Sequence, residues 1–357
     1  MSLYKLFRPI IFKLNPEKAH DLAIDYLRFF PNLASSFALN RDFHNLKTNV
    51  CGLDFANPIG MAAGFDKNAF CFATLAKFGF GFIEVGTVTP KAQKGNDKPR
   101  IFRLKEDCAI INRLGFNNLG ADVFEKNLEE NLTKFRSILG INIGKNKDVE
   151  NALDDYLPLL ERFYEKASYI TVNISSPNTK NLRDLQNSEN LDFFLSEIFK
   201  KKAELKIKHK KDKPVFLKIA PDLEINQQEE IAQIAIKNAI DGLIISNTTI
   251  ARPESLKSAF ASEAGGLSGK ILFDSSTQIL RNFYQLTNGK IPLIGVGGIS
   301  NAQDAYQKIR NGASLVQIYS AFIYQGFGLV ETIKRDLSLM LEKDGFKNVG
   351  SAVGIDC

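Results

Sequence analysis

The sequence predicts an α/β protein: a (β/α)8 TIM barrel with a small helical extension at its N-terminus. From residue 55 onward, short apolar runs rich in β-branched residues alternate with longer stretches of helical periodicity. Such continuous apolar runs fit the strands of a parallel sheet that is buried on both faces. Nearly every run ends in glycine or polar residues, and the carboxyl ends of barrel strands meet at one mouth. A doubly wound sheet is the main alternative, but it usually has fewer strands and one glycine-rich first turn.

Eight apolar runs are the candidate barrel strands. They are NPIGMAAG from Asn57, GFIEVGTV from Gly81, SILGINIG from Ser137, YITVNISS from Tyr169, PVFLKIAP from Pro214, GLIISNTT from Gly242, IPLIGVGG from Ile291 and LVQIYSAF from Leu315. Eight strand–helix units in about 300 residues are typical of a TIM barrel. The chain has 357 residues, 44% of them hydrophobic, which is ample for a core of this size.

The N-terminal segment has a different pattern. MSLYKLFRPIIFKL places apolar residues at helical spacing with basic residues between them, and NPE from Asn15 then predicts a second helix that runs to about Phe30. These helices either pack on the main domain or lay their apolar faces in a membrane interface, and periodicity alone leaves both readings open. We therefore divide the chain into an amphipathic extension, residues 1–45, and a barrel domain, residues 46–357.

Charge and cysteine content argue against several function classes. The net charge is +6, and the densest basic run, KKKAELKIKHKKDK from Lys200, lacks interleaved aromatics, which favours a solvated helix end over a nucleic-acid surface. The four cysteines have no metal-ligand spacing and do not cluster with histidine, so we expect no metal. With no signal peptide, they indicate a reducing cytosol. No apolar run is long enough to predict a membrane span.

Glycine-rich segments follow the last two predicted strands. GVGGIS from Gly295 and IYSAF from Ile318 occupy the position where TIM barrels often bind phosphate through backbone N–H groups. Gly297-Gly298 would let the backbone approach a ligand closely, and Ser268-Gly269 could join the same cradle. Because glycines also form ordinary turns, the motif alone is weak. Its placement in a barrel indicates a phosphorylated ligand or cofactor.

Asparagines gather at or beside the predicted strand ends and in loops. They are Asn112, Asn117, Asn118, Asn142, Asn173, Asn178 and Asn247. An asparagine side chain offers both a carbonyl acceptor and amide donors, which matches the edge of a flavin or a pyrimidine ring. The alternative is that some are only turn residues.

Two lysines and a serine pair are the other candidates. Lys67 follows the first strand, and Lys218 lies inside the fifth, where a lysine is costly unless it faces an anion or a cavity. Ser175 and Ser176 precede Pro177, and no histidine lies near them in the sequence to serve as the base that a nucleophilic serine usually needs, so the residues alone leave their role open. The alternative role for the serine pair is a turn before the proline.

With these residues in view, the chain resembles the class 2, quinone-linked dihydroorotate dehydrogenases. The matching segments are NPIGMAAGFDKN, GFIEVGTVTPKAQKGNDKPRIFRL, INRLGFNN, NISSPNTKNLRDLQ, FLKIAPD, GLIISNTT, GGLSGK, IPLIGVGGI, VQIYSAF and the N-terminal PEKAH. The resemblance implies a TIM barrel with FMN at its mouth. It also implies that (S)-dihydroorotate is oxidised to orotate in de novo pyrimidine (UMP) synthesis, with electrons passing to a membrane quinone.

The resemblance also implies the site residues. FMN would contact Ala63, Gly64, Phe65, Asp66, Lys67, Thr87, Asn142, Asn173, Lys218, Ser246, Gly269, Gly298, Tyr319 and Ser320. Dihydroorotate would contact Lys67, Asn112, Arg113, Leu114, Gly115, Phe116, Asn173, Asn178, Asn247 and Thr248. Ser176 would be the general base that takes a proton from C5 while hydride leaves C6. Thr179 and Phe116 resemble the family's proton-exit gate.

Class 1 relatives use a cysteine base and lack the N-terminal helices, so a serine base together with such helices implies quinone as the oxidant. The extension would then form a lid at the membrane interface over a quinone tunnel lined by His20 and Arg103. The expected location is peripheral, on the cytoplasmic side of the cell membrane. Three alternatives remain open: a flavin barrel with a soluble acceptor such as fumarate, NAD or oxygen, a non-redox barrel, and a peripheral membrane protein without enzymatic activity.

Overall fold

A closed barrel of eight parallel strands forms the centre of the computed structural model, which describes residues 3–36, 40–179 and 181–357. The strands are β1 Thr48–Val50, β2 Leu53–Phe55, β3 Ile59–Met61, β4 Phe82–Val88, β5 Ile101–Leu104, β6 Ala109–Asn112, β7 Ile138–Ile143, β8 Tyr169–Asn173, β9 Val215–Lys218, β10 Gly242–Ile245, β11 Gly266–Gly269, β12 Leu293–Val296 and β13 Ala313–Ile318. The barrel order is β3-β4-β7-β8-β9-β10-β12-β13, and β13 pairs with β3. Seven of the barrel strands lie within a predicted run, and β13 begins at Ala313, two residues before its run; the predicted fold class is confirmed.

Helices connect the barrel strands and precede them. They are α1 Leu3–Ile11, α2 Pro16–Phe29, α3 Pro31–Ser35, α4 Phe72–Ala76, α5 Gly120–Leu132, α6 Leu153–Phe163, α7 Ser188–His209, α8 Ile225–Lys237, α9 Phe273–Leu286, α10 Ala302–Arg310, α11 Ser320–Gln325 and α12 Leu329–Lys343. Short 3₁₀ turns occur at His44–Leu46, Arg183–Gln186, Lys270–Leu272 and Val349–Ala352. The last barrel helix, α12, packs beside α10 on the outside of the barrel.

The inside of the barrel changes from apolar to polar along its axis. The lower layer packs Phe82, Tyr169, Phe216, Ile244, Ile294 and Leu315 against Val50 and Phe55 of the β1–β2 hairpin, which closes the bottom. Side chains alternate along a strand, so a residue two positions further on faces the interior again. In four strands that next residue is polar and buried: Glu84, Thr171, Lys218 and Gln317. The barrel therefore presents a polar floor to the space above it.

A small antiparallel sheet lies outside the barrel. In it β6 is the central strand and pairs with β5 on one side and with β11 on the other. The register places Gly266 opposite Asn112 and Gly269 opposite Ala109. Segments about 150 residues apart in the chain are thus joined. This sheet brings Asn112 and the GLSG segment to the same end of the molecule as the barrel mouth.

The N-terminal helices are anchored to the barrel domain by specific contacts. Helix α2 begins as predicted, because the Asn15 side chain accepts hydrogen bonds from the backbone N–H groups of the first turn at 3.0 and 3.3 Å. Glu17 then forms an ion pair with the buried Arg100, Nη2 to Oε1, at 2.6 Å. Helix α1 contacts α11, where Arg8 Nη1 donates to the Tyr324 carbonyl at 3.1 Å.

Packing leaves much of the apolar surface of α1–α3 uncovered. The exposed large apolar side chains of this segment are Leu6, Phe7, Ile10, Leu14, Leu22, Phe29, Phe30 and Leu33. Leu6 and Ile10, one helical turn apart on α1, are each 65% exposed. Exposed apolar side chains concentrated on one segment are a feature of surfaces that meet a partner or a lipid phase. None of the described helices combines the length and the apolar character that crossing a bilayer requires.

Candidate active site

A cavity of about 390 Å³ lies at the mouth of the barrel, above the polar floor. It is bordered by the carboxyl ends of the barrel strands and by the β6–β11 pair, as expected for a TIM barrel. The predicted site residues that line it are Ala63, Gly64, Lys67, Thr87, Asn112, Leu114, Gly115, Phe116, Asn173, Ser176, Asn178, Lys218, Ser246, Asn247, Thr248, Gly269, Gly298, Tyr319 and Ser320. Residues from nine separate chain segments therefore meet in one space.

Four predicted contact residues do not line this cavity: Phe65, Asp66, Asn142 and Arg113. Asp66 accepts two backbone N–H groups of the following turn at 2.8 and 2.7 Å and holds that turn together. Arg113 turns away and pairs with Glu263, Nη1 to Oε2, at 2.7 Å. Asn142 is fully buried below the cavity, and Phe65 borders a second cavity. The contacts of Asp66, Arg113 and Asn142 hold these side chains in other directions, so not every residue of a motif faces the cavity.

The two serines of NISSPNT have different environments. Ser175 Oγ donates to Asn173 Oδ1 at 2.7 Å and accepts from Asn247 Nδ2 at 2.8 Å, so its hydroxyl is held between two asparagines. Ser176 lines the cavity, and its Oγ accepts from the Asn178 backbone N–H at 3.3 Å. Within the described residues its hydroxyl donates no hydrogen bond, and no histidine lines the cavity. Ser176 is thus the serine available to a ligand.

Asn173, Thr87 and Asn142 form a closed hydrogen-bonded group at the end of β8. Thr87 Oγ1 donates to Asn142 Oδ1 at 2.6 Å, and Asn173 Nδ2 donates to the same oxygen at 3.1 Å and to Thr87 Oγ1 at 3.2 Å. All three side chains are buried. Because each amide has fixed partners, this wall of the cavity is preorganised before any ligand arrives.

Lys218, the last residue of β9, borders the cavity from the floor. It is only 5% exposed, and its ammonium forms no hydrogen bond within the described part of the chain. Burial lowers the pKa of Lys218, and the nearby Glu84 carboxylate opposes that effect. A buried ammonium without a direct partner is suited to an anionic ligand group.

Lys67 lies where this cavity meets the second cavity, which is described below. Its ammonium donates a hydrogen bond to Asn117 Oδ1. Burial, together with the charge of Arg100, lowers the pKa of Lys67 to about 7, while Glu17 and Asp21 act in the opposite direction. At neutral pH this lysine is therefore close to its titration midpoint, and a bound anion would restore its full positive charge.

The glycine loop after β12 supplies the opposite end of the cavity. Gly297 and Gly298 have φ angles of +111° and +80°, and a Cβ at Gly298 would lie 2.3 Å from Phe273 Cα. Only glycine fits this approach. Beside the loop, the Ser320 and Ser268 hydroxyls lie 2.8 Å apart. The chain thus offers backbone and hydroxyl groups here, which is the donor set that a phosphate monoester requires.

The second cavity, of about 1250 Å³, lies between the N-terminal helices and the barrel mouth. His20 and Arg103, the two residues predicted to border a quinone tunnel, both line this cavity. The His20 ring packs edge-on against Phe65 with centroids 5.3 Å apart, and burial, with the charge of Lys67, lowers the pKa of His20 to about 4. His20 is therefore neutral at physiological pH. The residues shared by both cavities are Gly64, Lys67, Asn112, Leu114, Ser268 and Tyr319.

Sequence reasoning missed three polar residues of the floor: Glu84, Thr171 and Gln317. Glu84 stands in an otherwise apolar strand, and Gln317 stands in another, which is the signal that did identify Lys218. It also missed Arg183, which supports the loop after Ser176 by donating to Thr248 O at 3.0 Å and to Asp222 at 2.7 Å. Within the described residues, no group of three or more His, Cys, Asp or Glu side chains is arranged to hold a metal.

Comparison with known proteins agrees with this geometry. A family model described as dihydroorotate dehydrogenase matches residues 45–341. A dihydroorotate dehydrogenase (quinone) of Idiomarina loihiensis is 48% identical over 333 residues, 93% of this chain and 99% of that protein. One of Vibrio parahaemolyticus is 49% identical over 337 residues, 94% of this chain and 100% of that protein.

Solved structures show the same likeness. The crystal structure of DHODH from Eimeria tenella in complex with ferulenol has a TM-score of 0.89 and 41% identity, covering 97% of this chain and 98% of that one. The ligand-free form from the same organism has a TM-score of 0.88 and 43% identity, covering 94% of this chain and 98% of that one. The chain therefore belongs to the dihydroorotate dehydrogenase family.

Proposed function

We propose that this protein oxidises (S)-dihydroorotate to orotate in pyrimidine synthesis and passes the electrons through FMN to a membrane quinone. Relatives of nearly the same length carry the name of the quinone-dependent enzyme. The observation that carries the proposal is the meeting of Ser176, in the loop after β8, and Lys218, at the end of the neighbouring β9, in one cavity that adjoins a second one.

The residues around the first cavity fit FMN. The phosphate would lie at the end formed by Gly269, Gly298, Tyr319 and Ser320, where glycine loops bring the backbone to the cavity. The ring would lie over the floor beside Lys218, where Thr87, Asn173 and Ser246 supply polar contacts. When bound, FMN would supply a two-electron acceptor for the hydride that leaves C6 of the substrate.

Dihydroorotate would bind between the ring and the loops above it. Lys67 would neutralise its carboxylate, and the amides of Asn112, Asn173, Asn178 and Asn247 would bind the edges of its ring, with Leu114, Gly115, Phe116 and Thr248 completing the pocket. The Arg113 side chain is engaged with Glu263, which leaves the substrate contacts to its neighbours.

Ser176 would act as a general base toward C5 of the substrate. Serine is a weak base in water, but position compensates in part, and here the hydroxyl is buried among asparagines that would hold the substrate. The electrons left at C5 form the new double bond as hydride departs from C6, so no free carbanion has to persist. The Thr179 Oγ1, buried without a hydrogen-bond partner among the described residues, could pass the proton onward from Ser176.

The second cavity and the exposed apolar patch support quinone as the acceptor. His20 and Arg103 would border the quinone head group, and residues 1–45 would rest on the membrane with α1–α3 as its contact surface. Residues 46–357 would form the catalytic barrel, a division supported by the start of the family match at residue 45. We place the protein on the cytoplasmic side of the cell membrane, attached peripherally.

The acceptor is tested by comparing oxidants with the purified, FMN-loaded protein. Turnover of dihydroorotate should be fastest with a quinone that carries an isoprenoid or alkyl tail, because the second cavity offers an apolar path to the first. Fumarate and NAD should support turnover at least ~100-fold more slowly, since they gain nothing from apolar burial. Equal rates with fumarate or NAD would contradict the quinone assignment.

A pH dependence follows from Lys67. Its ammonium is charged below about pH 7 and loses its proton above that value, so binding of the orotate anion must take up a proton at higher pH. The Kd of orotate, measured by flavin absorbance, should stay level below about pH 7 and then rise by up to tenfold per pH unit. Lys67→Met should bind orotate weakly with no such slope. A level Kd from pH 6 to 9 in the unaltered protein would refute this role.

A further inference from the structure

Glu84 is a fully buried carboxylate in β4, directly beneath the candidate FMN cavity. It accepts three hydrogen bonds, from Asn142 Nδ2 at 2.8 Å, from Tyr169 OH at 3.0 Å and from Gln317 Nε2 at 2.8 Å. A buried carboxylate is strongly unfavourable unless its oxygens are satisfied. Here three neighbouring side chains donate to it, so the barrel provides a built site for a negative charge.

Glu84 also determines how two amides point. A carboxylate only accepts hydrogen bonds, so Asn142 and Gln317 must turn their NH₂ groups toward it and their carbonyl oxygens away. The Asn142 oxygen then accepts from Thr87 and Asn173, both of which line the cavity. In this way the orientation of the cavity wall depends on Glu84.

The side chain of Gln317 borders the cavity itself and would contact a ligand directly. It lines the cavity, is fully buried, and its Oε1 has no hydrogen-bond partner among the described residues. Leaving a buried acceptor unpaired is unfavourable, so such an atom in a cavity wall indicates a ligand N–H. An N–H of the flavin ring is of the required chemistry.

Glu84 and Lys218 form a buried pair of opposite charges without a direct hydrogen bond within the described residues. The carboxylate favours the charged form of Lys218, against the effect of burial. The two charged groups have opposite effects on the reduction of a flavin bound in the cavity above them. The ammonium stabilises added negative charge in a low-dielectric site, and the carboxylate destabilises it.

We propose that Glu84 is a positioning and tuning residue for the flavin: it aims the Asn142 and Gln317 amides and holds the two-electron potential of bound FMN below the value that Lys218 alone would set. The inference rests on the proposed function only in requiring that the cavity binds FMN. Glu84 does not touch the substrate and takes no proton in the reaction.

The test is an equilibrium redox titration of FMN in the full-length holoprotein. Glu84→Gln keeps the shape and the acceptor for Asn142 but removes the charge. The equilibrium constant for two-electron reduction should rise at least tenfold, which corresponds to a potential about 30 mV more positive. FMN dissociation should also become faster, because the amide at position 317 is no longer forced into one orientation.

Two further variants separate charge from packing. The double exchange E84Q/Q317E keeps a carboxylate–carboxamide pair but moves the negative charge to the cavity wall, so the equilibrium constant should fall at least tenfold below that of the unaltered protein. Tyr169→Phe removes one hydrogen bond to Glu84 but leaves the Glu84 charge and both amide donors in place. The equilibrium constant for two-electron reduction should therefore change by less than threefold.

The outcomes are distinct. Unchanged potentials in both E84Q and the double exchange would overturn the proposal, as would a shift in Tyr169→Phe as large as that in E84Q. If E84Q does not fold, the double exchange alone decides, since its predicted shift has the opposite sign. A protein that binds no FMN would refute the proposed function, whereas FMN binding with invariant potentials would refute only the role of Glu84.

Discussion

Replacing Ser176 by alanine should slow the reduction of bound FMN by dihydroorotate about 10²–10⁴-fold, the usual contribution of a general base. FMN and dihydroorotate should still bind, because the side chains that would hold them keep their partners when the Ser176 hydroxyl is removed. Only the Asn178 backbone N–H loses its acceptor. The measurement is the bleaching of flavin absorbance in anaerobic stopped flow, with substrate affinity taken from the concentration dependence of the rate.

The neighbouring serine is a matched control for this prediction. Ser175→Ala removes a hydroxyl that holds Asn173 and Asn247, so it should weaken substrate binding more than it slows the proton transfer step. Ser176→Cys should recover part of the lost rate, since a thiolate can also accept the proton. A Ser176→Ala protein that reduces its flavin at the normal rate would show that the base lies elsewhere.

Deleting residues 1–40 should leave reduction of FMN by dihydroorotate within about threefold of normal, but turnover with a long-tailed quinone should fall at least ~100-fold. The deletion removes most of the apolar wall of the second cavity, including His20, and the exposed apolar patch on α1–α3. A tailed quinone then loses the burial that favours its binding, worth about 0.8 kcal/mol per CH₂. Steady-state rates with a tailed quinone and with a water-soluble dye measure the two effects.

The deletion also leaves Arg100 without its carboxylate partner, which needs its own control. Glu17→Gln in the full-length chain removes the same ion pair while the second cavity stays in place. This variant should retain quinone turnover, and binding to anionic lipid vesicles should be lost only in the deletion. Full activity of the deleted protein with the tailed quinone would mean that the N-terminal helices serve only for packing.

The barrel strands were predictable because each is buried on both faces. A strand such as YITVN of β8 or GLII of β10 reads as a continuous apolar run, and eight such runs with helical spacers leave few alternatives. The start of α2 was equally clear, since an asparagine cap followed by proline and an acid is a local signal that needs no tertiary contact.

The small sheets were not predicted, for the opposite reason. Strands β1 and β2 have three residues each, too few to show a period, although their Val50 and Phe55 close the bottom of the barrel. The pairing of β6 with β11 joins segments distant in the chain, and nothing local in either segment specifies its partner. Non-local pairing of short strands depends on the finished barrel beneath it.

For the site, motifs located the right segments but not the direction of each side chain. The run from Asn112 to Phe116 does border the cavity, yet Arg113 within it faces Glu263. Asn142 lies one layer lower and acts through Thr87 and Asn173. Lys218 was identified because a charge within a buried strand demands an explanation, and the same rule applied to Glu84 would have identified its partner.

The most direct test of the account is an anaerobic experiment on the purified protein with FMN bound. Addition of dihydroorotate should bleach the flavin absorbance with formation of one orotate per flavin, and later addition of a tailed quinone should restore the colour at the rate of steady-state turnover. A flavin that stays oxidised with dihydroorotate, or that bleaches but cannot be reoxidised by quinone, would contradict the function assigned to the two adjoining cavities.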